Sequence, residues 1–199
     1  MTGNGAPTIR AFFALLLEEE LRREVDGRIA PLRRAGEPVR WVPEANLHVT
    51  IRFLGDVGSG LRSRVEERAA RIAAETPPFR FTLGGPGAFP SLRSPRVLWV
   101  GVSEGGGEIA RLAKGVDGAI GDLGFEKEKR FHPHITTGRT KRRPSAPFLE
   151  RYGELPVEPL PQRAAALHLM GSTLTPRGAV YRILREFPLA GPLPGSAPE

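Results

Sequence analysis

The chain has 199 residues, and its 29 lysines and arginines against 22 aspartates and glutamates give a formal net charge of +7. This length supports one substantial core or at most two small lobes, and 40% hydrophobic content is ordinary for a globular protein. The positive charge favours anionic partners such as nucleic acid, although a solvated arginine-rich surface would give the same balance. Cysteine is absent, which excludes disulfides and thiol chemistry and agrees with the cytoplasmic location that we expect.

The first half of the chain alternates strand and helix patterns. An apolar run at 9–17 predicts a central strand, and it is too short to cross a membrane. Apolar residues at helical spacing predict helices over 18–34 and 61–76. Between these helices, residues 47–54 alternate between apolar and polar, which predicts a half-buried strand ending at Gly55.

The alternation in this strand divides its side chains between two faces. Leu47, Val49, Ile51 and Phe53 are predicted to point inward, and His48, Thr50 and Arg52 to the polar face. The polar face of the strand is therefore a candidate site.

The second half continues the mixture of strands and helices. Further strands are predicted at 79–83, 96–102, 131–139, 165–172 and 180–187, with a helix at 108–123 and a basic, proline-rich loop with at most one helical turn at 140–162. We expect residues 1–8 to be flexible, residues 9–187 to form one domain, and the Pro/Gly-rich residues 188–199 to be a disordered tail. The fold class expected is α+β, with largely antiparallel strands and an element order that suggests two similar halves.

One tripeptide pattern occurs twice, as His48-Val49-Thr50 and His134-Ile135-Thr136. In a strand, residues i and i+2 point to the same side, so each copy presents an imidazole and a hydroxyl together. A single copy is common in strands and carries no functional meaning. Two copies permit two imidazoles to share the roles of acid and base across a cleft.

Displacement at phosphorus is the clearest reaction that needs such a pair. The attacking and leaving oxygens lie on opposite sides of the phosphorus, so base and acid should flank it. In the cleavage of a 2′,3′-cyclic phosphate, one histidine deprotonates water and the other protonates the departing ribose oxygen. The threonine hydroxyls would stabilise the non-bridging oxygens, and the reaction requires no metal or other cofactor.

The residues around both motifs resemble those of the two-histidine (2H) phosphoesterases. The first segment runs from Arg40-Trp41 through Asn46-Leu47-His48-Val49-Thr50-Ile51-Arg52-Phe53-Leu54-Gly55, and the second is Phe131-His132-Pro133-His134-Ile135-Thr136-Thr137-Gly138-Arg139. The similarity is to the RNA 2′,3′-cyclic phosphodiesterase branch, once called 2′-5′ RNA ligases, and extends over about residues 9 to 187. Phe12-Phe13-Ala14, Gly87-Ala88-Phe89-Pro90, Val97-Leu98-Trp99-Val100-Gly101, Ser172 and Tyr181 also fit it.

This resemblance implies an α+β fold of two pseudo-symmetric lobes, with antiparallel sheets, helices on the outer faces and a central catalytic cleft. It implies that His48 is the proton donor, His134 the proton acceptor, and Thr50 and Thr136 the phosphate-contacting hydroxyls. The implied reaction opens a terminal RNA 2′,3′-cyclic phosphate to a 2′-phosphate. Joining RNA ends through a 2′-5′ linkage is the reverse chemistry.

The second motif departs from the family pattern at Thr137-Gly138, where Leu-Ala is usual. Strict alternation places Arg139 on the face opposite His134, and a bulge at Gly138 would turn Arg139 toward the cleft. A phosphate ligand and a structural ion pair are both open roles for Arg139.

Other residues carry weaker predictions. His132 shares the face of His134, and a His-x-His pair can bind metal, but no third ligand with suitable spacing is apparent, so we expect no metal site. Phe12 and Phe131 are candidates for stacking on a terminal base. The basic segment 139–143 is either an RNA-tracking loop or a solvated one.

Two alternatives to the RNA phosphodiesterase remain open at this point. One is a non-catalytic module that binds RNA or a nucleotide, and the other is a phosphodiesterase acting on a small cyclic nucleotide phosphate. The partners expected are RNA ends or oligonucleotides with a 2′,3′-cyclic phosphate, with no membrane and no obligate protein partner. Nothing in the sequence suggests an oligomer, so we expect a monomer.

Overall fold

The computed structural model describes residues 8–127, 130–156, 159–176 and 178–192, which form nine strands and four α-helices. The strands are β1 (Thr8–Leu16), β2 (Val39–Trp41), β3 (His48–Gly58), β4 (Phe79–Phe89), β5 (Val97–Glu104), β6 (His134–Thr140), β7 (Leu160–Ala164), β8 (Ala166–Thr175) and β9 (Gly178–Pro188). The helices are α1 (Glu19–Arg33), α2 (Ser59–Glu75), α3 (Gly106–Ile120) and α4 (Ala146–Gly153).

All the strands belong to one antiparallel sheet, in the order β7-β4-β5-β6-β3-β1-β8-β9, with β2 also paired to β6. The expectation of α+β with antiparallel strands is confirmed, and the described strands of both halves form a single sheet. The halves of the sheet meet where β3 and β6 share a single residue pair, Val49 and Ile135. Each strand begins at its motif histidine, and the two strands diverge after this pair. The pair Val49–Ile135 is therefore the joint between the two halves of the sheet.

The helices pack on one face of the sheet and cover the main core. In β1 the alternate residues Ala11, Phe13 and Leu15 point into this core and are at most 2% exposed. Phe12 and Ala14 point to the other face, where they form a small cluster with Met170. The predicted central strand is therefore confirmed, and its side chains are apolar on both faces.

The helix predictions are confirmed with small changes of boundary, but several connections contain more structure than expected. Strand β3 continues through Gly55, whose φ of +70° suits glycine, to Gly58. Strand β4 likewise continues past its glycines to Phe89. The segment 140–162, predicted as a loop, contains α4, whose Phe148, Leu149 and Tyr152 are buried, and the start of β7.

The carboxyl-terminal boundary lies beyond the predicted one. Strand β9 extends to Pro188, and Leu189 is only 4% exposed within the main core. The amides of Ala190 and Gly191 donate to the carbonyl oxygens of Ala73 and Thr76 at the end of α2. The predicted tail is thus wrong for residues 188–191, while residues 1–7 and 193–199 lie outside the described residues. Within the described ranges, no helix is long and apolar enough to cross a membrane.

Candidate active site

The two His-x-Thr motifs meet at the joint of the sheet. Val49 pairs with Ile135, and both side chains are 0% exposed on the helix-covered face. Their neighbours alternate to the opposite face, and continuing the antiparallel register places His48 across from Thr136 and Thr50 across from His134. Two imidazoles and two hydroxyls therefore lie together on the uncovered face.

Both histidines are oriented by the same backbone contact. Nδ1 of His48 lies 2.7 Å from the carbonyl oxygen of Asn46, and Nδ1 of His134 lies 2.7 Å from that of His132. A carbonyl oxygen only accepts, so Nδ1 carries a hydrogen in each ring and Nε2 is left for chemistry. In His48, Nε2 is 2.9 Å from the hydroxyl of Thr50, which donates to it in the neutral ring.

The surroundings lower the pKa of both histidines. Burial is the main cause for His48, and the nearby His134 adds to it, while the hydrogen bond to the Asn46 carbonyl acts in the opposite direction. For His134 burial is again the main cause, with further lowering by His132 and Arg139. Each histidine is therefore neutral more readily than in water.

Aromatic rings hold His48 in place. Phe12 lies 5.0 Å from the His48 ring and Tyr181 meets that ring edge-on at 5.4 Å, both measured between centroids. Phe12 is only 3% exposed and packs against the imidazole, which argues against its predicted role in base stacking.

A second aromatic group surrounds His134. Phe89 meets its ring edge-on at 5.1 Å, and the exposed His132 stacks beside it at 6.3 Å. Trp99 completes the group, 5.2 Å from Phe89, and lies over Gly87, where a Cβ would fall 2.1 Å from the indole. His132 does share the face of His134, as predicted. Phe131 packs partly buried against the main core, which argues against a role in stacking.

A bulge in β6 decides the position of Arg139. Trp99 pairs with Thr136 but Leu98 pairs with Gly138, so Thr137 is the extra residue. The bulge returns Arg139 to the face of Thr136 and Trp99, and Arg139 lines the groove beside the histidines. The predicted bulge lies one residue earlier than expected, and Arg139 has no ion-pair partner among the described residues.

A corresponding bulge in β3 reverses part of the first prediction. The register with β1 shifts between Thr50 and Arg52, which makes Ile51 the extra residue. Arg52 consequently points inward, is 7% exposed, and pairs with Asp117 of α3 at 2.9 Å. Phe53 points outward and is 56% exposed, so the inward face predicted for Phe53 and the polar face predicted for Arg52 are both wrong.

The site contains three residues whose contribution was missed at the sequence level. Phe53 presents an open aromatic face in the groove, and Tyr181 joins His48 to that groove. Asn46 supplies the carbonyl that orients His48, and its amide donates to the carbonyl oxygen of Ala179 at 2.8 Å. Two signals were available in the sequence: Asn46 lies two residues before His48, as His132 lies before His134, and Tyr181 fits the family pattern.

The groove beside the histidines has a volume of about 630 Å³. Its charged lining consists of Arg10, Arg40 and Arg139, with no acidic residue among the described residues that line it. Burial raises the pKa of the Tyr181 phenol, and the charges of Arg139 and Arg10 only partly oppose this shift. The phenol therefore stays protonated at neutral pH and is available as a donor to an anion. No group of three metal-ligating side chains is found in the described parts of the chain.

A sequence profile of known proteins matches most of this chain. The profile is that of the 2′-5′ RNA ligase superfamily, and it covers residues 20–174, including both motifs. The chain belongs to this superfamily. The family resemblance inferred from the paired motifs is thereby confirmed.

Individual members of the family are similar along almost their whole length. The RNA 2′,3′-cyclic phosphodiesterase of Archaeoglobus fulgidus is 37% identical over 186 residues, which cover 90% of this chain and 99% of that protein. The enzyme of the same name from Thermotoga maritima is 33% identical over 93% of this chain and 98% of its own. The similarity therefore spans nearly all of both relatives.

Solved structures show the same fold. Escherichia coli LigT complexed with 3′-AMP superposes with a TM-score of 0.74 at 28% identity, covering 92% of this chain and 99% of LigT. A protein from Thermus thermophilus gives a TM-score of 0.73 at 32% identity with the same coverage. The fold is thus the curled antiparallel sheet with four helices that LigT has.

Proposed function

We infer that this protein is an RNA 2′,3′-cyclic phosphodiesterase that uses His48 and His134 as its acid and base. The observation that carries this inference is the joint between β3 and β6, where the pair Val49–Ile135 brings both His-x-Thr motifs to one face. Family membership and the names of the similar enzymes agree with this assignment. RNA with a terminal 2′,3′-cyclic phosphate is the corresponding substrate.

The reaction divides between the two imidazoles. Nε2 of His134 takes a proton from water as the water oxygen attacks phosphorus. The bond from phosphorus to the ribose 3′ oxygen breaks, and Nε2 of His48 gives its proton to that oxygen. The product is a 2′-phosphate with a free 3′ hydroxyl, and a proton transfer between solvent and the histidines restores the starting state.

The lowered pKa of both histidines suits the base but not the acid, because the acid must carry a proton before the reaction. A bound phosphodiester anion favours the protonated form of a nearby imidazole. Substrate binding therefore charges His48 when it is needed, while in the free protein burial keeps both rings neutral more readily than in water.

Neutral and charged donors surround the position of the phosphate. Thr50 and Thr136 would donate to non-bridging oxygens, with Thr50 exchanging its present bond to His48 Nε2 for one to the substrate. Arg139 lies on the same face, and its planar guanidinium suits two phosphate oxygens at once. These groups stabilise charge that develops at phosphorus in the transition state.

The element order supports the description of two pseudo-symmetric lobes around a cleft. In the first half, the motif strand β3 follows β1 and α1 and precedes α2. In the second half, the motif strand β6 follows β5 and α3 and precedes α4. Each motif lies at the start of its strand, and each is followed by a bulge after the threonine. A pseudo-twofold relation would place equivalent groups on opposite sides of phosphorus, as in-line attack and its reversal in 2′-5′ ligation both require.

A base-stacking role is better placed at Phe53 than at Phe12 or Phe131. Phe53 occupies the position after its bulge that Arg139 occupies in the second half, and both side chains line the same groove. An exposed aromatic face beside an arginine is suited to a terminal base and its phosphate.

The deciding experiment measures hydrolysis of a defined oligonucleotide with a 2′,3′-cyclic end by the wild type, His48→Ala and His134→Ala. We expect each substitution to reduce kcat by about 10²- to 10⁴-fold, the usual contribution of a positioned acid or base. His168→Ala is the matched control, because His168 lies on β8, separated from Thr50 of β3 by Ala14 of β1, and its side chain contacts Glu186 of β9. Identification of the terminal phosphate distinguishes a 2′-phosphate from a 3′-phosphate product.

The alternatives predict different results. Full activity in either motif variant would refute the two-histidine assignment. A non-catalytic module would bind a 2′-phosphorylated product tightly without opening any cyclic phosphate. An enzyme for small cyclic phosphates would prefer a mononucleotide to an oligonucleotide, and activity insensitive to EDTA is expected for either enzyme.

A further inference from the structure

The carbonyl oxygen that orients His48 belongs to a short connection rather than to a strand. Residues Glu44–Asn46 form a single 3-10 turn between β2 and β3. Two backbone hydrogen bonds close this turn, at 2.9 and 3.0 Å. A turn of this kind is short, and its hydrogen-bond geometry is poorer than that of an α-helix. The position of the Asn46 carbonyl therefore depends on contacts between the turn and the rest of the protein.

Two hydrogen bonds hold this connection, one at each end. Before the turn, the amide of Val42 donates to the carbonyl oxygen of Thr137 in β6 at 2.8 Å. At the end of the turn, the side-chain amide of Asn46 donates to the carbonyl oxygen of Ala179 in β9, also at 2.8 Å. The first bond needs only backbone groups, whereas the second requires a side chain that can donate a hydrogen bond. The attachment to β9 therefore depends on the identity of residue 46.

Asn46 connects His48 to β9 through two different groups. Its backbone carbonyl accepts the Nδ1 hydrogen of His48 at 2.7 Å, and its side chain is bound to Ala179. Strand β9 also contains Tyr181, whose ring meets His48 edge-on at 5.4 Å. The start of β9 therefore contacts the imidazole directly through Tyr181 and holds its hydrogen-bond acceptor through Asn46.

The second motif restrains the equivalent carbonyl by different means. The carbonyl of His132 accepts the Nδ1 hydrogen of His134 at 2.7 Å, and Pro133 lies between these two residues. A proline ring fixes its own φ and restricts the residue before it to extended conformations. Leu47 occupies the corresponding position in the first motif and imposes no such restriction. The side-chain bond of Asn46 supplies the restraint that a proline supplies in the second motif.

The bond to this carbonyl matters for a histidine that gives a proton away. After Nε2 of His48 has lost its proton, the neutral ring keeps its hydrogen on Nδ1, and the carbonyl of Asn46 stabilises that tautomer. Burial lowers the pKa of His48, and the same bond partly opposes this shift, which favours the protonated ring before the reaction. A displaced carbonyl would weaken both effects and would leave the ring free to rotate.

We propose that Asn46 is a positioning residue for the proton donor, because its side-chain bond to Ala179 holds its own carbonyl oxygen at Nδ1 of His48. This inference rests on the proposed function, since it takes His48 to be the acid. It gives the start of β9 a part in catalysis that acts through Asn46 and requires no contact between Asn46 and the substrate.

The test measures hydrolysis of an oligonucleotide with a 2′,3′-cyclic end by the wild type, Asn46→Ala and Ala45→Ser. We expect Asn46→Ala to lower kcat about 10- to 100-fold, the scale of a small misplacement of a reacting group, while KM stays within about twofold. Asn46→Gln keeps the amide donor on a longer side chain and should recover part of this loss. Ala45→Ser is the matched control at an exposed position of the same turn, and its kcat should stay within about twofold of the wild type.

Nitrogen NMR of isotope-labelled imidazole rings separates positioning from a general loss of structure. In the neutral wild type, His48 and His134 should both carry their hydrogen on Nδ1. Asn46→Ala should move only His48 toward the tautomer with its hydrogen on Nε2, and the spectrum of His48→Ala identifies the His48 signals. His134 is the internal reference, because its acceptor is the carbonyl of His132.

The positioning role would be overturned by any of three results. These are wild-type kcat in Asn46→Ala, a loss of kcat without a change of the His48 tautomer, and an equal change of tautomer in both histidines. If the wild type opens no cyclic phosphate, the proposed function fails, and the NMR comparison still decides whether Asn46 orients His48.

Discussion

Arg139 acts on the site in two ways that a conservative substitution separates. Its charge is one of the causes that lower the pKa of His134, after burial and the neighbouring His132. Its planar guanidinium also lies on the face of Thr136, where the phosphate is proposed to bind. A lysine at this position would keep the charge but not the two-pronged geometry.

We therefore predict that Arg139→Gln raises the pKa of His134, because a positive charge that opposes its protonation is removed. His134 must be neutral to act as the base, so the acidic limb of the pH profile of kcat/KM should move to higher pH. Arg139→Lys should lower kcat/KM without moving that limb. A limb that stays in place or moves to lower pH in Arg139→Gln would contradict the assignment of His134 as the base.

Residue patterns near the first motif illustrate what alternation does and does not decide. His48 and Thr50 are predicted correctly on one face because no irregularity separates them. Arg52 and Phe53 are predicted on the wrong faces because the bulge at Ile51 moves both side chains to the opposite face. The bulge depends on pairing with β1, and a local pattern does not reveal that pairing.

At the scale of elements, helix α4 stabilises the bulge in β6 through the side chain of Tyr152. Tyr152 is buried, and its hydroxyl donates to the carbonyl oxygen of Trp99 at 3.0 Å. The hydroxyl of Thr137, the bulged residue, lies 3.1 Å from the same phenol and donates to it. Thr137 thereby gains a polar partner at the position where the family usually has leucine. Gly138 leaves the space that β2 needs, because a Cβ there would lie 2.7 Å from Val39.

We predict that Tyr152→Phe lowers the free energy of unfolding by about 1–3 kcal/mol, since it leaves the buried Thr137 hydroxyl without this partner. Thr137→Val removes the other group with almost no change of shape. In urea denaturation of both single variants and the double variant, a coupling energy above about 0.5 kcal/mol is expected. Strictly additive losses would show that the hydrogen bond does not stabilise the bulge.

At the scale of the whole molecule, residues 189–191 complete the main core, to which the first half of the chain also contributes. Leu189 is buried in the main cluster, and its amide donates to the carbonyl oxygen of Ala165 at 2.8 Å. Gly191 lies against the end of α2, where a Cβ would fall 2.3 Å from the Glu75 carbonyl oxygen. The segment therefore connects the end of β9 to the end of α2 by backbone hydrogen bonds.

Leu189→Ala should consequently destabilise the protein by about 2–5 kcal/mol, the usual cost of a large-to-small change in a core. Val180→Ala, at a position of β9 that is 57% exposed, is the control and should change stability by no more than about 0.5 kcal/mol. Thermal or urea unfolding measures both. Equal, small losses in the two variants would mean that the terminal segment does not contribute to the core.

The sequence by itself determined the α+β class, most helices and strands, and the pair of His-x-Thr motifs, because apolar periodicity and a repeated tripeptide are local properties of the chain. It also determined the family, since the residues that flank both motifs are specific together. Only the tertiary structure decided that the halves form one sheet joined at Val49 and Ile135, that bulges turn Arg139 and Phe53 outward, and that Leu189 belongs to the core. Each of these depends on which distant strands pair and in what register, and that choice follows from packing between segments that are far apart in the chain.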